Sequence, residues 1–287
     1  MVYATRRFEF SAAHRYWRSD WSAEENERVF GPCAYPYGHG HNYTLDVTIT
    51  GELDPRTGMV MNMTELKALV SEVLEEFDHR HLNEDTPYFR DQLPTTENIV
   101  RVLWRLIAAR LPNTARLARL RLYETADLWA EYDGADETTF ARVYTFSAAH
   151  RLHSPALSDK ENLAIYGKCN NPNGHGHTYT LEVSVAGPVD PDTGMVIDLT
   201  AMDRTVRSAL DRLDYRHLDR EIAAFATQPS TAENIVIYLW QELAPRFEGR
   251  LRHLKLWETR KNVFEYAGPG AIAESEIADE RHPRTGA

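Results

Sequence analysis

Hydrophobic and polar residues follow the same succession of patterns twice along the chain. Residues 43–49 place hydrophobic side chains at every second position with polar ones between them, which is typical of a half-buried strand, and residues 179–185 repeat the alternation. Hydrophobic residues at helical spacing from position 66 to position 77 predict a helix that begins after a capping side chain. Asn62 is the candidate cap in the first half, and Asp198 is its equivalent in the second.

A second helix and two short strands complete each half. Thr95 or Thr96 begins the helix, and strands are expected at residues 120–124 and 128–132. Each half therefore reads strand, long loop, strand, helix, helix, strand, strand. Strands grouped apart from a pair of helices indicate the α+β class, an antiparallel sheet covered by two helices.

The two halves are copies of one sequence. Residues 10–15 (FSAAHR) recur as residues 146–151, and residues 38–41 (GHGH) recur as residues 174–177, both 136 positions further along (14 to 150). The same offset relates the two cysteines. A match at a constant offset predicts two domains of the same fold.

The repeat places the domains at residues 1–134 and 140–268, with a short polar linker around residues 133–139. Residues 269–287, rich in Gly, Pro, Glu and Asp, have no counterpart in the first half and are expected to form a disordered tail.

Composition narrows the class of protein. Of 287 residues, 43% are hydrophobic and 26% charged, which excludes collagen-like, coiled-coil and wholly disordered chains. No run of 18 apolar residues and no apolar segment behind the first arginines occurs, so we expect neither a membrane span nor a secretory signal, and a cytoplasmic location. The net charge of -11 argues against a nucleic-acid partner. Two cysteines cannot form a disulfide framework, whereas 12 histidines are unusually many.

Three histidines in each copy have the spacing of a metal site. His39 and His41 leave the same face at the start of a strand, and His14 ends the hydrophobic face of the strand before it. If these strands pair, three imidazoles converge, which is typical of a catalytic zinc with an open fourth position. Histidines satisfied within the core are the alternative. The second copy repeats the spacing with His150, His175 and His177.

A cysteine precedes each His-Gly-His segment by six residues. Cys33 and Cys169 lie in the loop that leads to the predicted metal strand. A nearby cation lowers the pKa of a thiol, so either residue is a candidate base or nucleophile. A fourth metal ligand and an inert buried thiol are the alternatives.

Two further candidates are acidic. Glu124 and Glu258 each end a hydrophobic strand face, where a poorly solvated carboxylate needs donors and can bind an amidine-like edge of a ligand. Pairing with a neighbouring arginine is the structural alternative. Asp78 and His79 form a candidate proton-relay dyad, or else an ordinary surface pair at a helix end.

These motifs resemble the 6-pyruvoyltetrahydropterin synthases and the related 6-carboxytetrahydropterin synthases of the queuosine pathway. The resemblance covers nearly all of both copies. It is closest in the second copy, at residues 146–154, 167–177 (GKCNNPNGHGH), 192–196 (DTGMV), 232–234 (AEN) and 257–259 (WET).

The resemblance implies the tunnelling fold, in which each domain is an antiparallel four-stranded sheet with two helices on one face. Such domains associate through their sheets into barrels around a central tunnel. Members commonly assemble six domains, so a tandem chain implies a trimer.

The resemblance also implies a reaction, the elimination of triphosphate from 7,8-dihydroneopterin triphosphate to give 6-pyruvoyltetrahydropterin. The carboxy branch would release acetaldehyde as well, and the five residues between cysteine and His-Gly-His resemble the pyruvoyl branch. A non-catalytic pterin- or purine-binding scaffold remains the alternative. The implied roles are zinc on the six histidines, proton transfer by the cysteine and the Asp-His pair, pterin anchoring by Glu124 and Glu258, and pterin contact by Thr95, Thr96 and Thr231.

The copies depart from the family pattern in complementary ways. The second copy keeps the cysteine loop but reads Asp214-Tyr215 where the first has the Asp-His dyad, and His217 lies two residues on. The first copy keeps the dyad but has Pro32 before its cysteine. One hypothesis is that the first-copy dyad completes a site around Cys169. The other is that first-copy sites are complete and altered in specificity, while second-copy sites are slower.

Overall fold

The computed structural model describes residues 2–270, so all but the first two residues of the expected tail lie outside the described part of the chain. Within it, short 3-10 turns accompany ten strands and eight helices. The strands are β1 (Val2–His14), β2 (His39–Gly51), β3 (Arg80–His81), β4 (Ala115–Thr125), β5 (Leu128–Tyr132), β6 (Thr138–His150), β7 (His175–Gly187), β8 (Arg216–His217), β9 (Leu251–Thr259) and β10 (Asn262–Tyr266). The helices are α1 (Ala23–Phe30), α2 (Met63–Leu74), α3 (Leu82–Asp85), α4 (Thr96–Ala108), α5 (Asp159–Tyr166), α6 (Leu199–Leu210), α7 (Leu218–Glu221) and α8 (Ala232–Leu243).

Two compact units divide the chain, and the division does not follow the sequence repeat. The first unit contains the residues up to 143 together with residues 185–205, and the second contains residues 144–184 and those from 206 onward. Residues 185–205 belong to the second sequence copy and yet pack within the first unit. This exchange contributes to the first-copy site.

The sheet of the first unit confirms the α+β class. β1 pairs with β2 in an antiparallel ladder along its whole length, β2 pairs with β4, and β4 pairs with β5. The two residues of β3 add a parallel contact to β1, and β5 pairs with residues 139–142 at the start of β6. Each copy thus contributes the expected four long antiparallel strands, since the second has the order β10, β9, β7, β6.

The helices begin where the capping residues predict. Asn62 accepts a hydrogen bond from the backbone of Thr64 at the start of α2, and Thr95 accepts one from Asn98 at the start of α4. The inner face of α4 packs on β4 and β5 with fully buried Ile99 and Leu103. Burial of each such side chain contributes about 1.5–3 kcal/mol to the stability of the fold. This packing holds the N-terminus of the helix beside the sheet.

The predicted long loop is wrong in one respect, because it contains a helix in each copy. α1 begins after Ser22 and α5 after Ser158, and both serine side chains accept a backbone hydrogen bond in the first turn. These eight-residue helices expose most of their residues, so they lack the periodic hydrophobic face by which a helix is recognised in a sequence. The capping serines are the sequence feature from which these two helices could have been predicted.

Across residues 2–270, every helix is too short or too polar to cross a lipid bilayer.

Candidate active site

The β1–β2 ladder builds the first histidine cluster. His14, the last residue of β1, pairs with His39, the first residue of β2, and His41 lies opposite Ala12. The three ring centroids are 4.7 to 5.1 Å apart, and one nitrogen of each ring lies within 4.8 Å of the others. The structure therefore brings together the three residues predicted as metal ligands in the first copy.

A backbone carbonyl orients the central imidazole. Nδ1 of His14 lies 2.9 Å from the carbonyl oxygen of Pro94, an atom that can only accept a hydrogen bond. Nδ1 therefore carries the proton, and Nε2 presents its lone pair to the cluster. Burial lowers the pKa of His14 to about 4, so the ring stays neutral, as a metal ligand must be.

The nitrogens at the centre of the cluster fit a cation better than they fit each other. Nε2 of His14 and Nε2 of His39 are 3.2 Å apart, a distance at which His39 donates an N–H to the His14 lone pair or both nitrogens bind one cation. Nε2 of His41 is buried without a hydrogen-bond partner among the described residues. A divalent cation satisfies all three lone pairs, and three imidazoles leave a coordination position open.

The second copy has the same geometry. His150 and His175 approach with their Nε2 atoms 3.2 Å apart, and Nε2 of His177 is buried with no partner in the described structure. Nδ1 of His150 lies 2.8 Å from the carbonyl oxygen of Ser230, which selects the same tautomer. Both predicted triads are therefore assembled in the fold.

Glu124 lies at the edge of the first cluster. It is 7% exposed, and one carboxylate oxygen lies 3.4 Å from Nε2 of His41. The other oxygen accepts hydrogen bonds from the hydroxyls of Thr96 and Tyr16, the latter at 3.3 Å. The predicted anchoring glutamate and threonine are thus in contact beside the cluster, and their partners are hydroxyls rather than an arginine.

A segment of the second sequence copy covers the start of α4 in the first unit. The hydroxyl of Thr95 donates to the carbonyl oxygen of Gly194, and the carboxylate of Glu97 accepts from the backbone N–H of Val196 at 3.0 Å. Glu97 is 3% exposed, and burial raises its pKa to about 7. Sequence reasoning did not select Glu97, although it recurs in the repeat as part of a Glu-Asn pair.

Cys33 lines the same pocket. Its carbonyl oxygen accepts a hydrogen bond from the backbone of Tyr16, and its side chain lies beside Glu124 and Thr96. Burial, with the charge of Glu124 as a second cause, raises the pKa of the Cys33 thiol to about 12. This direction describes the pocket without a metal ion, so a lowering of the thiol pKa by a bound cation stays a prediction.

The second-copy glutamate is less enclosed. The side chain of Glu258 is 15% exposed and accepts a hydrogen bond from the amide of Asn262 at 3.1 Å. It lies 3.8 Å from Nε2 of His177. Thr231 caps α8, as Thr95 caps α4. The next residue is Ala232, which lacks the hydroxyl that Thr96 donates in the first copy.

The candidate dyad is formed and faces solvent. Nδ1 of His79 lies 2.9 Å from Asp78, whose other oxygen accepts from the backbone N–H of Ser11 on β1. That backbone hydrogen bond lowers the pKa of Asp78, and the imidazole is 82% exposed. Asp214 makes the same contact with Ser147, and Tyr215 replaces the imidazole.

Comparison with known proteins identifies the family of this chain. The sequence model of the family described as 6-pyruvoyl tetrahydropterin synthase matches residues 3–135 and again residues 139–269. The chain belongs to this family.

Relatives match over the length of one copy. The 6-pyruvoyl tetrahydrobiopterin synthase of Drosophila melanogaster is 47% identical over 131 residues, which is 45% of this chain and 78% of the relative. The human protein of the same name is 45% identical over 130 residues, 45% of this chain and 90% of the relative. A solved structure of Caenorhabditis elegans 6-pyruvoyl tetrahydropterin synthase is 46% identical, covers 46% of this chain and 96% of that chain, and has a TM-score of 0.45. This chain therefore carries the family domain twice.

Metal content tests the two clusters separately. We expect the purified protein to bind two divalent metal ions per chain, and His39→Ala or His175→Ala to bind one, because each change removes a ligand from one cluster only. Elemental analysis after dialysis measures this ratio. A single variant that retains two ions per chain would contradict the assignment.

The buried carboxyl group of Glu97 makes stability depend on pH. An ordinary glutamate in the unfolded chain ionises near 4.5, whereas Glu97 in the fold ionises at about 7. The contribution of Glu97 to the free energy of unfolding is therefore fully present below pH 4.5 and is lost as the pH rises through about 7. Relative to Glu97→Gln, the wild-type protein should lose on the order of 1–3 kcal/mol of unfolding free energy across that window.

Denaturant unfolding at several pH values measures this difference. Glu72→Gln, on the exposed face of α2, is the matched control and should run parallel to the wild type. Equal pH profiles for wild type and Glu97→Gln would contradict the prediction.

Proposed function

We propose that the chain is a zinc-dependent lyase that converts 7,8-dihydroneopterin triphosphate to 6-pyruvoyltetrahydropterin with elimination of triphosphate. Relatives that match one copy are named for 6-pyruvoyl tetrahydrobiopterin synthesis. The observation that carries the proposal is a carboxylate at the edge of each three-imidazole cluster. Glu124 lies 3.4 Å from His41, and Glu258 lies 3.8 Å from His177.

The glutamate supplies recognition of the pterin ring. The pyrimidine edge of a pterin presents adjacent N–H donors, much as an amidine does, and a carboxylate accepts both in parallel hydrogen bonds. Partial burial strengthens these bonds because little water competes for the carboxylate. A ring held at Glu258 directs its side chain toward the imidazole cluster only a few ångströms away.

The metal is assigned to the six histidines. Three neutral nitrogen donors with an open position fit zinc, and a bound Lewis acid lowers the pKa of a hydroxyl group that it contacts. The chain's own contribution is to fix each tautomer, through the carbonyls of Pro94 and Ser230, and to exclude water around His14 and His150.

Proton transfer is assigned to the cysteine and the dyad. The two hydroxyl-bearing side-chain carbons lose their two carbon-bound and two hydroxyl hydrogens and become carbonyls. The ring gains two hydrogens, the terminal carbon gains one as its bond to triphosphate breaks, and triphosphate leaves with the bonding electrons and one proton. The side chain is thus oxidised while the ring is reduced, and no external oxidant is needed. Cys169 is half-buried in the loop before the second cluster. Asp78 and His79 face solvent, which suits action on the pocket of another domain. That composite arrangement stays a prediction, as does the alternative of self-contained first-copy sites.

Turnover of the proposed substrate tests the function. The metal-loaded protein should release triphosphate from 7,8-dihydroneopterin triphosphate, chelation should abolish release, and added zinc should restore it. Mass analysis of the same incubation should show the 6-pyruvoyl product.

Other results would overturn the proposal in distinguishable ways. A 6-carboxy product with acetaldehyde would move the chain to the carboxy branch. Pterin binding without release of triphosphate would indicate a binding scaffold.

We further propose that chains associate head to tail, three of them closing a ring of six domains. In the first unit, Gly194 and Met195 cover the start of α4, and Met195 is 5% exposed. The repeat equivalent of Met195 is Met59, which is 42% exposed, and the equivalent of buried Glu97 is the exposed Glu233. The same contact is thus available between the first copy of one chain and the second copy of another, and a contact between unlike surfaces closes into a ring.

The exposed methionine allows a direct test of this assembly. Met59→Glu should reduce the molar mass measured by light scattering to that of a single chain, because a carboxylate cannot enter the apolar contact. Lys67→Glu, on the exposed face of α2, is the control and should keep the mass of the wild type. An unchanged mass for Met59→Glu would contradict the proposed contact.

A further inference from the structure

The pockets beside the two clusters differ at one position. Tyr16 in the first copy corresponds to Leu152 in the second. The backbone at both positions is held alike, because Tyr16 donates its N–H to the carbonyl of Cys33 and Leu152 donates to that of Cys169, each at 2.9 Å. The difference between the copies is therefore one of side chains on a common backbone.

Tyr16 is fixed in the pocket by its neighbours. It is 6% exposed, and its ring makes T-shaped contacts with the rings of His14 and Phe30, with centroid distances of 4.9 and 6.0 Å. Phe30 is in turn stacked on Trp21, with ring centroids 5.7 Å apart. In the second copy Leu157 replaces this tryptophan, and the equivalent of Phe30 is Tyr166, so only the outer ring of this stack is lost.

The space left beside Glu124 is too small for a pterin ring. A cavity of about 20 Å³ remains there, lined by Tyr16, Cys33, Thr96 and Met195 among others. That volume holds about one water molecule, whereas pockets for small organic ligands have roughly 300–1,000 Å³. The tyrosine hydroxyl also occupies the carboxylate itself, at 3.3 Å from Glu124.

The second copy lacks both hydroxyl groups that bind the first-copy carboxylate. Leu152 has no hydroxyl to place on Glu258, and Ala232 replaces the threonine that donates to Glu124. Glu258 accepts a hydrogen bond from the amide of Asn262 through one oxygen. On Glu124, by contrast, Tyr16 and Thr96 both donate to one oxygen, so a ligand must displace the tyrosine hydroxyl before it can bind both oxygens in parallel.

We propose that Tyr16 closes the first-copy pocket, so that the first copy holds a metal ion without binding a pterin, and that substrate binds and reacts at Glu258. This inference rests on the proposed function and specifies which copy performs it. Tyr16 is the specificity-determining residue, because its side chain occupies the place of the ring and its hydroxyl occupies the carboxylate that would recognise it.

Variants of the metal-loaded full chain test this inference. In wild type, 7,8-dihydroneopterin should bind at one site per chain by fluorescence titration. Glu258→Gln should abolish saturable binding and lower triphosphate release about 100-fold, since it removes a charged acceptor from the ring edge. Adding Tyr16→Leu to Glu258→Gln should restore one binding site per chain at Glu124.

Tyr16→Phe in the same background is the matched control. It removes the hydroxyl but keeps the ring, so the pocket stays filled and no site should appear. Metal content should remain at two ions per chain in every variant, which shows that the first cluster is folded.

Three results would overturn the inference. These are two pterin sites in the wild type, a Glu258→Gln variant that keeps half or more of the wild-type turnover, and a Tyr16→Leu/Glu258→Gln variant that binds two metal ions but no pterin. A wild-type protein that binds one pterin at Glu258 but releases no triphosphate would refute the lyase function and leave the closure of the first pocket standing.

Discussion

The close approach of like imidazole nitrogens is the interaction on which the site depends. The β1–β2 ladder brings His14 and His39 to a nitrogen separation of 3.2 Å, and the second copy repeats that distance between His150 and His175. One ring of each pair can donate to the other, but Nε2 of His41 and of His177 are then left buried without a hydrogen-bond partner among the described residues, and a cation shared by the three rings satisfies all of these nitrogens. The same ladder and its neighbour β4 bring the glutamate to the edge of the cluster, so the register of three strands determines where the imidazoles and the glutamate lie relative to one another.

A common frame supports two unequal pockets. In the first, residues 194–197 cover the start of α4, Glu97 is buried beneath them, and Tyr16 takes the carboxylate of Glu124. In the second, Glu258 stays partly exposed beside an intact cluster. The two copies therefore share the backbone and the imidazoles, whose positions are determined by strand pairing. They differ in the side chains around the carboxylate. The proposals for this protein, two metal centres and one pterin pocket, follow from that difference between the copies.

Much of this arrangement was predictable from local sequence. Period-two strands place His39 and His41 on one face, helix caps at Asn62 and Thr95 follow from hydrogen-bonding chemistry, and the repeat doubles each signal. What sequence could not predict depends on distant packing. The raised pKa of Cys33, the burial of Glu97 and the placement of residues 185–205 in the first unit all arise where segments far apart in the chain meet. Likewise, the sequence does not indicate that the hydroxyl of Tyr16 donates a hydrogen bond to Glu124, because the two residues are far apart in the chain.

The most direct test of the account is a crystal structure of the zinc-loaded protein with 7,8-dihydroneopterin, recorded at the zinc absorption edge. The account predicts anomalous peaks within both histidine clusters, pterin density on Glu258, and Tyr16 still in contact with Glu124. Pterin density on Glu124 with Tyr16 displaced, or a cluster without a metal peak, would contradict it.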